Sequence, residues 1–282
     1  MAESWTVLKL LRWTAEYFAG RGVDSPRLDA ELLLADLLQL DRVGLYLNFE
    51  RPLQADELGA FRERVRRRAG REPLAYILAR TEFWSLPLKV TPAVLIPRPD
   101  TELLVEEALK RPSGPARVLD VGTGSGALAI ALAHERPAWR VTAVDLSPAA
   151  LAVAAENART NGVAERIDFA EADLAALPGG PYELVVANPP YIPVADLAGL
   201  MPEVRDFEPR LALAGGVDGL DAYRALARQA GRLLTPGGWL LVEVGIDQAA
   251  AVRELFAAAG LAEIFTARDL AGIERVVGAR HL

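Results

Sequence analysis

The sequence contains no cysteine, only two histidines (His134 and His281), and three lysines (Lys9, Lys89 and Lys110) beside 28 arginines. Each scarcity closes a branch of chemistry. Without cysteine there is neither a disulfide nor a thiolate nucleophile, and a zinc site loses its commonest ligand. Two histidines supply metal catalysis and imidazole acid–base chemistry poorly, so no metal site is expected. No uninterrupted apolar run reaches the roughly 18 residues that a membrane-spanning helix needs. The stretch Met1–Gly20 carries Glu3, Lys9, Arg12 and Glu16 among Trp5 and Trp13, which is not the pattern of a secretory leader. A net charge of -7 and a pI near 5.1 argue against a surface for long nucleic-acid tracts, which needs concentrated positive charge. These deficits point to a cytoplasmic protein with no membrane association, whose chemistry is brought by a cofactor.

What the chain does have divides along its length. At 282 residues, 51% of them hydrophobic, it suits one large domain or two, with a sizeable core. Residues 4 to about 80 read as helices. Val7, Leu8, Leu11 and Ala15 recur at helical spacing up to Gly20, and Ser25-Pro26 supplies an N-cap with proline at the first helical position. Leu28, Leu32, Leu33, Ala35 and Leu38 predict the buried stripe of that second helix. A further helix from Asp56 carries Leu58, Phe61 and Val65 with a crowd of arginines, Arg62, Arg64, Arg66, Arg67, Arg68 and Arg71. The arginines read either as a solvated face or as a docking surface for an acidic or RNA-associated partner. Phe83–Val90 alternates and is followed by Pro92, Pro97 and Pro99, the pattern of a short hairpin between domains. Asp100 or Thr101 then reads as helix punctuation before Glu102, with Arg98 and Thr101 at a cofactor rim as the less favoured alternative.

From Arg117 onward strands and helices alternate, as in a doubly wound sheet that binds its ligand at the strands' carboxyl ends. The strand Arg117–Val121 runs into Gly122-Thr123-Gly124-Ser125-Gly126 and an apolar helix, the opening of a nucleotide-binding unit. A second strand ends at Asp145, 21 residues beyond Gly124, where a carboxylate can accept from both hydroxyls of a ribose. The third strand, Arg166–Phe169, leads to Asp173 and Leu174, placed for an adenine amino group and ring, with a turn or cap as the plain reading of Asp173. The glycine pattern also fits a dinucleotide fingerprint with Ala127 as its last member. Asp120 beside the loop suits a cationic sulfonium nucleoside better than a pyrophosphate.

The apolar run Leu184–Ala187 ends in Asn188-Pro189-Pro190-Tyr191. Two prolines stiffen the backbone and leave its carbonyls free, and the residue before each is pushed to extended geometry. An amide, two free carbonyls and a ring make a grip for a planar amine. Ala195–Arg210 is polar and proline-punctuated and reads as a flap. Glu243, ending the fifth strand Trp239–Val244, reads equally as a site residue or as a strand-end charge.

Taken together, these segments resemble the HemK/PrmC class of protein-(glutamine-N5) methyltransferases, nearly end to end. The likeness covers Arg71–Ile77, Leu95–Glu102, Asp120–Gly126, Asn188–Pro193, Glu203–Arg205 with Phe207–Pro209, and Gly215–Leu220. It implies an S-adenosylmethionine-dependent, Rossmann-like methyltransferase domain over residues 100–282, a hairpin linker over 83–99, and a helical substrate-recognition domain over 1–82. It further implies S-adenosylmethionine as donor and S-adenosylhomocysteine as product, with no metal. Gly122, Thr123, Gly124, Ser125, Gly126, Asp145, Asp173, Leu174 and Asn188 fall at donor-binding positions, although Leu174 stands where some relatives have tryptophan. Asn188, Pro189, Pro190 and Tyr191 would receive the substrate, with Asn188, Pro189 and Tyr191 catalytic. The implied substrate is the glutamine of the Gly-Gly-Gln motif in peptide chain release factors, with no direct nucleic-acid binding. A ribosomal-protein glutamine, or an adenine-N6 nucleic-acid substrate flipped into the same pocket, stands as the alternative. The ending Gly272–Val277 departs from the family's usual one and is expected to affect a final strand more than the chemistry.

Overall fold

The computed structural model describes residues 5–282, so the expected helical start at Ser4 lies outside the described residues. The chain packs as two units. One comprises the chain up to Ala79 together with Met201–Phe207, and the other comprises Arg80–Leu200 and Glu208–Leu282.

The first unit is helical, with helices Val7–Ala19, Pro26–Leu38, Arg42–Leu47, Ala55–Ala69, Leu74–Leu78 and Pro202–Phe207. Leu11, Phe18, Leu33, Leu34, Leu45 and Phe61 are its fully buried centre. The second helix buries only part of the stripe expected of it, Leu33 and Ala35, with Leu32 and Leu38 half-buried. Ala30, Leu33 and Leu34 point inward while Leu28 is 40% exposed, because the helix is packed on more than one side and has no single apolar face. Ser25 occupies the N-cap position but its side chain makes no capping bond. The fourth helix starts at Ala55, where Gln54 and Glu57 form a reciprocal capping box.

The arginine run is not one surface: Arg62 and Arg66 are exposed, as the solvated reading has it, while Arg68 is buried. Arg64 pairs with Asp36, Arg66 with Glu63 and Arg67 with Glu72. Arg68, only 6% exposed, donates Nε to Asp29 Oδ2 (2.7 Å) and Nη1 to Glu203 Oε1 (3.0 Å), while Arg71 Nη2 reaches Glu203 Oε2 (2.7 Å). Burial pushes the Glu203 carboxyl upward, but the hydrogen bonds from Arg71 and Arg68 outweigh it and hold the group below the usual range. The segment expected as a flap is thus clamped, in part, into the helical unit.

The second unit opens with an antiparallel hairpin, β1 (Arg80–Phe83) and β2 (Leu86–Lys89), whose first strand begins ahead of the expected Phe83. Its sheet then takes β3 (Arg117–Val121), β4 (Arg140–Asp145), β5 (Ile167–Glu171), β6 (Tyr182–Ala187), β7 (Leu234–Glu243), β8 (Ala262–Arg268) and β9 (Glu274–Arg280) in the order β5-β4-β3-β6-β7-β9-β8. The first five are parallel, and the apolar runs of the central strands β3 and β6 are buried on both faces, as crossover helices require, while the edge strand β5 is largely exposed. β9 is antiparallel to both neighbours because the link from Arg268 to Glu274 is far too short for a crossover. One face is covered by the cluster that includes Leu104, Ile130, Leu132 and Trp139, and the other by Tyr223, Leu226, Val252 and Phe256. Burying each such leucine or phenylalanine contributes roughly 1.5–3 kcal/mol. No helix among the described residues is long and apolar enough to cross a membrane.

Candidate active site

Register places the three expected elements side by side. Val121 on β3 is paired with Val144 on β4 and with Ala187 on β6. The next residue along each strand is therefore Gly122, Asp145 or Asn188, and all three leave the same edge of the sheet. The parallel ladder thus brings the glycine loop, the carboxylate and the acceptor loop to one place.

The glycine loop is tied down from behind and open in front. Gly122 and Thr123 both donate their amides to the Val144 carbonyl at 2.9 Å. Gly122 and Gly124 have φ of +74° and +56°, and a Cβ on either would meet open space apart from the loop's own Gly122 carbonyl at 4.0 Å. Asp145 accepts from Gly124 N on Oδ2 and from Ser147 N on Oδ1, each at 2.9 Å. Beneath the loop, Asp120 is fully buried; its Oδ2 accepts from Thr123 Oγ1 (2.6 Å) and Ala129 N (3.2 Å), while Oδ1 has no partner. Burial pushes this carboxyl up to about 7, against those two hydrogen bonds and with help from the nearby Asp145 charge. A buried acceptor oxygen with nothing to accept from, under an open glycine face, fits a cationic donor and not a pyrophosphate.

Sequence reasoning did not single out Asn157. It is 1% exposed on the helix Pro148–Thr160, donates Nδ2 to the Ser125 and Lys89 carbonyls at 2.9 Å, and accepts from Lys89 N at 2.7 Å. It clips the hairpin to the back of the glycine loop. The available signal was a lone amide on the inner face of an alanine-rich helix. Asp173 and Leu174 follow β5, two strands away from β3. Asp173 is exposed and caps its own turn through Oδ1 to Ala175 N (2.7 Å), as its plain reading has it. Leu174 is half-buried against the core, its carbonyl held by Gln229 Nε2 at 2.6 Å.

Two of the segments that carry the resemblance are joined to each other. Arg98 and the Ile96 amide both bond the Glu208 carboxylate, so the Ile-Pro-Arg-Pro and Glu-Pro stretches lock together. Gln248 Nε2 holds the Tyr191 carbonyl at 2.9 Å. Gly219, with φ of +77°, lies so close that a Cβ there would run into that same carbonyl. The Tyr191 ring packs against the core beside Gly245, and burial, then the Glu243 charge, pushes its phenol up to about 12.

Thr101 overturns the expectation of simple punctuation. Its side chain caps no helix. It is 4% exposed, accepts from Asn188 Nδ2 (3.1 Å) and donates to Glu243 Oε2 (2.6 Å). Glu243 is likewise no surface charge, being 3% exposed. Burial, then the neighbouring Asp100 charge, pushes it up to about 7, while the bonds from Thr101 and Asn188 and the charge of Arg275 oppose the shift. Arg275, in the divergent ending, pairs with Asp100 (3.0 Å) and so stands one residue from Thr101, nearer the site than expected. Among the described residues no cluster of histidine, aspartate or glutamate is arranged to hold a metal.

The comparisons agree with this geometry. Residues 9–78 match the PrmC N-terminal domain and residues 99–198 match the methyltransferase small domain. Over 279 residues, 99% of this chain and 98% of the other, the sequence is 52% identical to a release factor glutamine methyltransferase of Geobacter sulfurreducens. The chain belongs to that family. A release factor glutamine methyltransferase of Moorella thermoacetica is 50% identical over 258 residues, covering 90% of this chain and 91% of its own. A crystal structure of a methyltransferase from Pyrococcus furiosus shares the fold with a TM-score of 0.52 at 16% identity, covering 70% of this chain and 89% of that one. The family and the fold make the protein an S-adenosylmethionine-dependent methyltransferase.

Proposed function

We propose that the protein methylates the side-chain nitrogen (N5) of the glutamine in the Gly-Gly-Gln motif of peptide chain release factors, in the cytoplasm and without a metal. The observation that carries this reading is the register that sets Asn188 beside Gly122 and Asp145, in a chain so similar to enzymes named for that substrate. The donor-holding residues are Gly122–Gly126, Asp145 with the ribose, Asp120 facing the positive charge, Asp173 through its uncapped oxygen, and Leu174 against the base. When bound, S-adenosylmethionine supplies an electrophilic methyl on a sulfonium. The helical segment seats the protein substrate.

An amide nitrogen is a weak nucleophile because its lone pair is delocalised, so alignment and electrostatics matter more than a strong base. Asn188 Oδ1 and the Pro189 carbonyl accept the two amide hydrogens, which turns the nitrogen toward the methyl and stabilises the positive charge growing there. Pro190 stiffens that arrangement and Tyr191 walls the amide plane. The nitrogen would gain the methyl as the sulfonium–methyl bond breaks, leaving S-adenosylhomocysteine, and would lose one proton to solvent.

Three protein and nucleic-acid substrates test the assignment: the enzyme is incubated with labelled donor and a release factor, a ribosomal-protein fraction or DNA. Mass spectrometry should place the label on the Gly-Gly-Gln glutamine, and label on a ribosomal protein or on adenine instead would overturn it. For the donor site, Asp145→Ala should weaken calorimetric binding by about 10–100-fold, the loss of hydrogen bonds to a charged acceptor. An unchanged affinity would remove Asp145 from it.

Asp120 makes donor binding depend on pH. Below about 7 the buried carboxyl is neutral and offers the cation nothing; above it the group ionises and attracts it. Affinity should therefore rise with pH through that range, and Asp120→Asn should bind more weakly and lose that part of the dependence.

A further inference from the structure

Glu243 sits where packing alone gives it no reason to be. It closes β7 after Leu240, Leu241 and Val242, none more than 1% exposed, and an apolar residue there would avoid the cost of a buried carboxyl. Among the described residues no lysine or arginine forms an ion pair with it, and Arg275 is committed to Asp269 (2.9 Å) and Asp100 (3.0 Å). Glu243 takes the Thr101 hydroxyl at 2.6 Å and a further, weaker bond from the Asn188 side chain, and the Tyr223 hydroxyl fixes its own main-chain carbonyl at 2.9 Å. A hydroxyl has one hydrogen. Given to a carboxylate, which can only accept, it leaves Thr101 with lone pairs alone to face Asn188. Asn188 must then present its Nδ2 to Thr101, as it does at 3.1 Å, and turn Oδ1 the other way.

We infer that Glu243, acting through Thr101, is a positioning residue that selects which end of the Asn188 amide meets the substrate. The inference rests on the reading of Asn188 as an acceptor. The two ends of an asparagine amide are nearly the same shape, so sterics cannot choose between them. A flipped amide would point donor hydrogens at the donor hydrogens of the substrate amide. Polarity passes along the chain while Glu243 is ionised. Once protonated, its carboxyl can itself donate to Thr101, whose hydrogen then turns toward Asn188 and calls for Oδ1. Burial sets this titration first, then the Thr101 hydrogen bond, the Asp100 and Arg275 charges and the Asn188 bond, while the Tyr191 and Tyr223 phenols face the group uncharged.

The test compares kcat at saturating donor and protein substrate for wild type, Thr101→Val, Thr101→Ser and Glu243→Gln, with Asn188→Ala as reference. Thr101→Val should lower kcat by about 10–100-fold with donor Kd and substrate KM moved by less than about twofold, and Thr101→Ser should restore most of it. Wild-type kcat should rise through about pH 7 and that of Glu243→Gln should not. Saturating donor keeps Asp120 out of this profile. Wild-type kcat in Thr101→Val, no recovery in Thr101→Ser, or the wild-type inflection in Glu243→Gln would each overturn the inference. If Thr101→Val does not fold, Thr101→Ser and the pH profile decide. An active Asn188→Ala sinks the acceptor reading itself; an inactive Asn188→Ala beside a fully active Thr101→Val sinks only the relay.

Discussion

Asn188→Ala is expected to lower kcat by about a thousandfold while leaving the fold in place and weakening donor binding far less than it slows the rate. On the proposed reading, the substitution removes an acceptor aimed at charge that develops only as the new bond forms, an effect of about 10²–10³-fold where single groups of this kind have been removed elsewhere. The fold should tolerate it because Asn188 is only half-buried and lies just past the end of β6, outside the ladder. Its partner Thr101 keeps Glu243 as a hydrogen-bond acceptor, so no buried donor is stranded. The measurement is single-turnover methylation of a release factor beside calorimetry with the donor. A loss of donor binding that matches the loss of rate would mean that Asn188 serves the cofactor and not the acceptor amide.

Arg68→Ala should destabilise the helical unit by about 3–5 kcal/mol, the usual cost of removing one partner from a buried ionic cluster. Asp29 and Glu203 would keep their carboxylates below the surface with their shared guanidinium gone, and Arg71 alone would remain on Glu203. Arg66→Ala is the control. Its side chain is 77% exposed and its partner Glu63 sits on the same helix face, so its loss should fall within about 0.5 kcal/mol. Urea unfolding followed by tryptophan fluorescence reads both, since Trp5 and Trp13 belong to this unit. Equal effects for the two arginines would mean that burial of the cluster contributes nothing.

The difference between these two arginines was invisible in the sequence, where they stand two residues apart in one run. Helical spacing could say that both lie on a helix, but the partner that matters for Arg68 is 135 residues away. The same distance in sequence explains what was and was not legible at the site. The glycine loop, Asp145 and the Asn188–Tyr191 loop each declare themselves within a few residues, because strand ends, glycines and prolines act locally. Thr101 and Glu243 are 142 residues apart, and Thr101 and Asn188 are 87. Only the closed sheet makes them neighbours, so a threonine before a helix and a glutamate ending a strand kept their ordinary readings. The antiparallel direction of β8 and β9 was not legible, since direction depends on the length of the link and not on apolar pattern.

The helical unit borrows Met201–Phe207 from far down the chain, and this sets an order on synthesis. Domains generally fold as they emerge, N-terminal first. Here the helices through Ala79 leave the ribosome with Arg68 and Arg71 in place, and the carboxylate that joins them arrives only after most of the sheet has been made. Until Glu203 is translated Arg68 has only Asp29 and Arg71 lacks its Glu203 partner, so the final stability of these helices waits on a segment synthesised after the Asn188–Tyr191 loop. A fragment cut after Ala79 would be frozen at that earlier stage, and a graft of it onto another enzyme would carry the same deficit unless Pro202–Phe207 travelled with it.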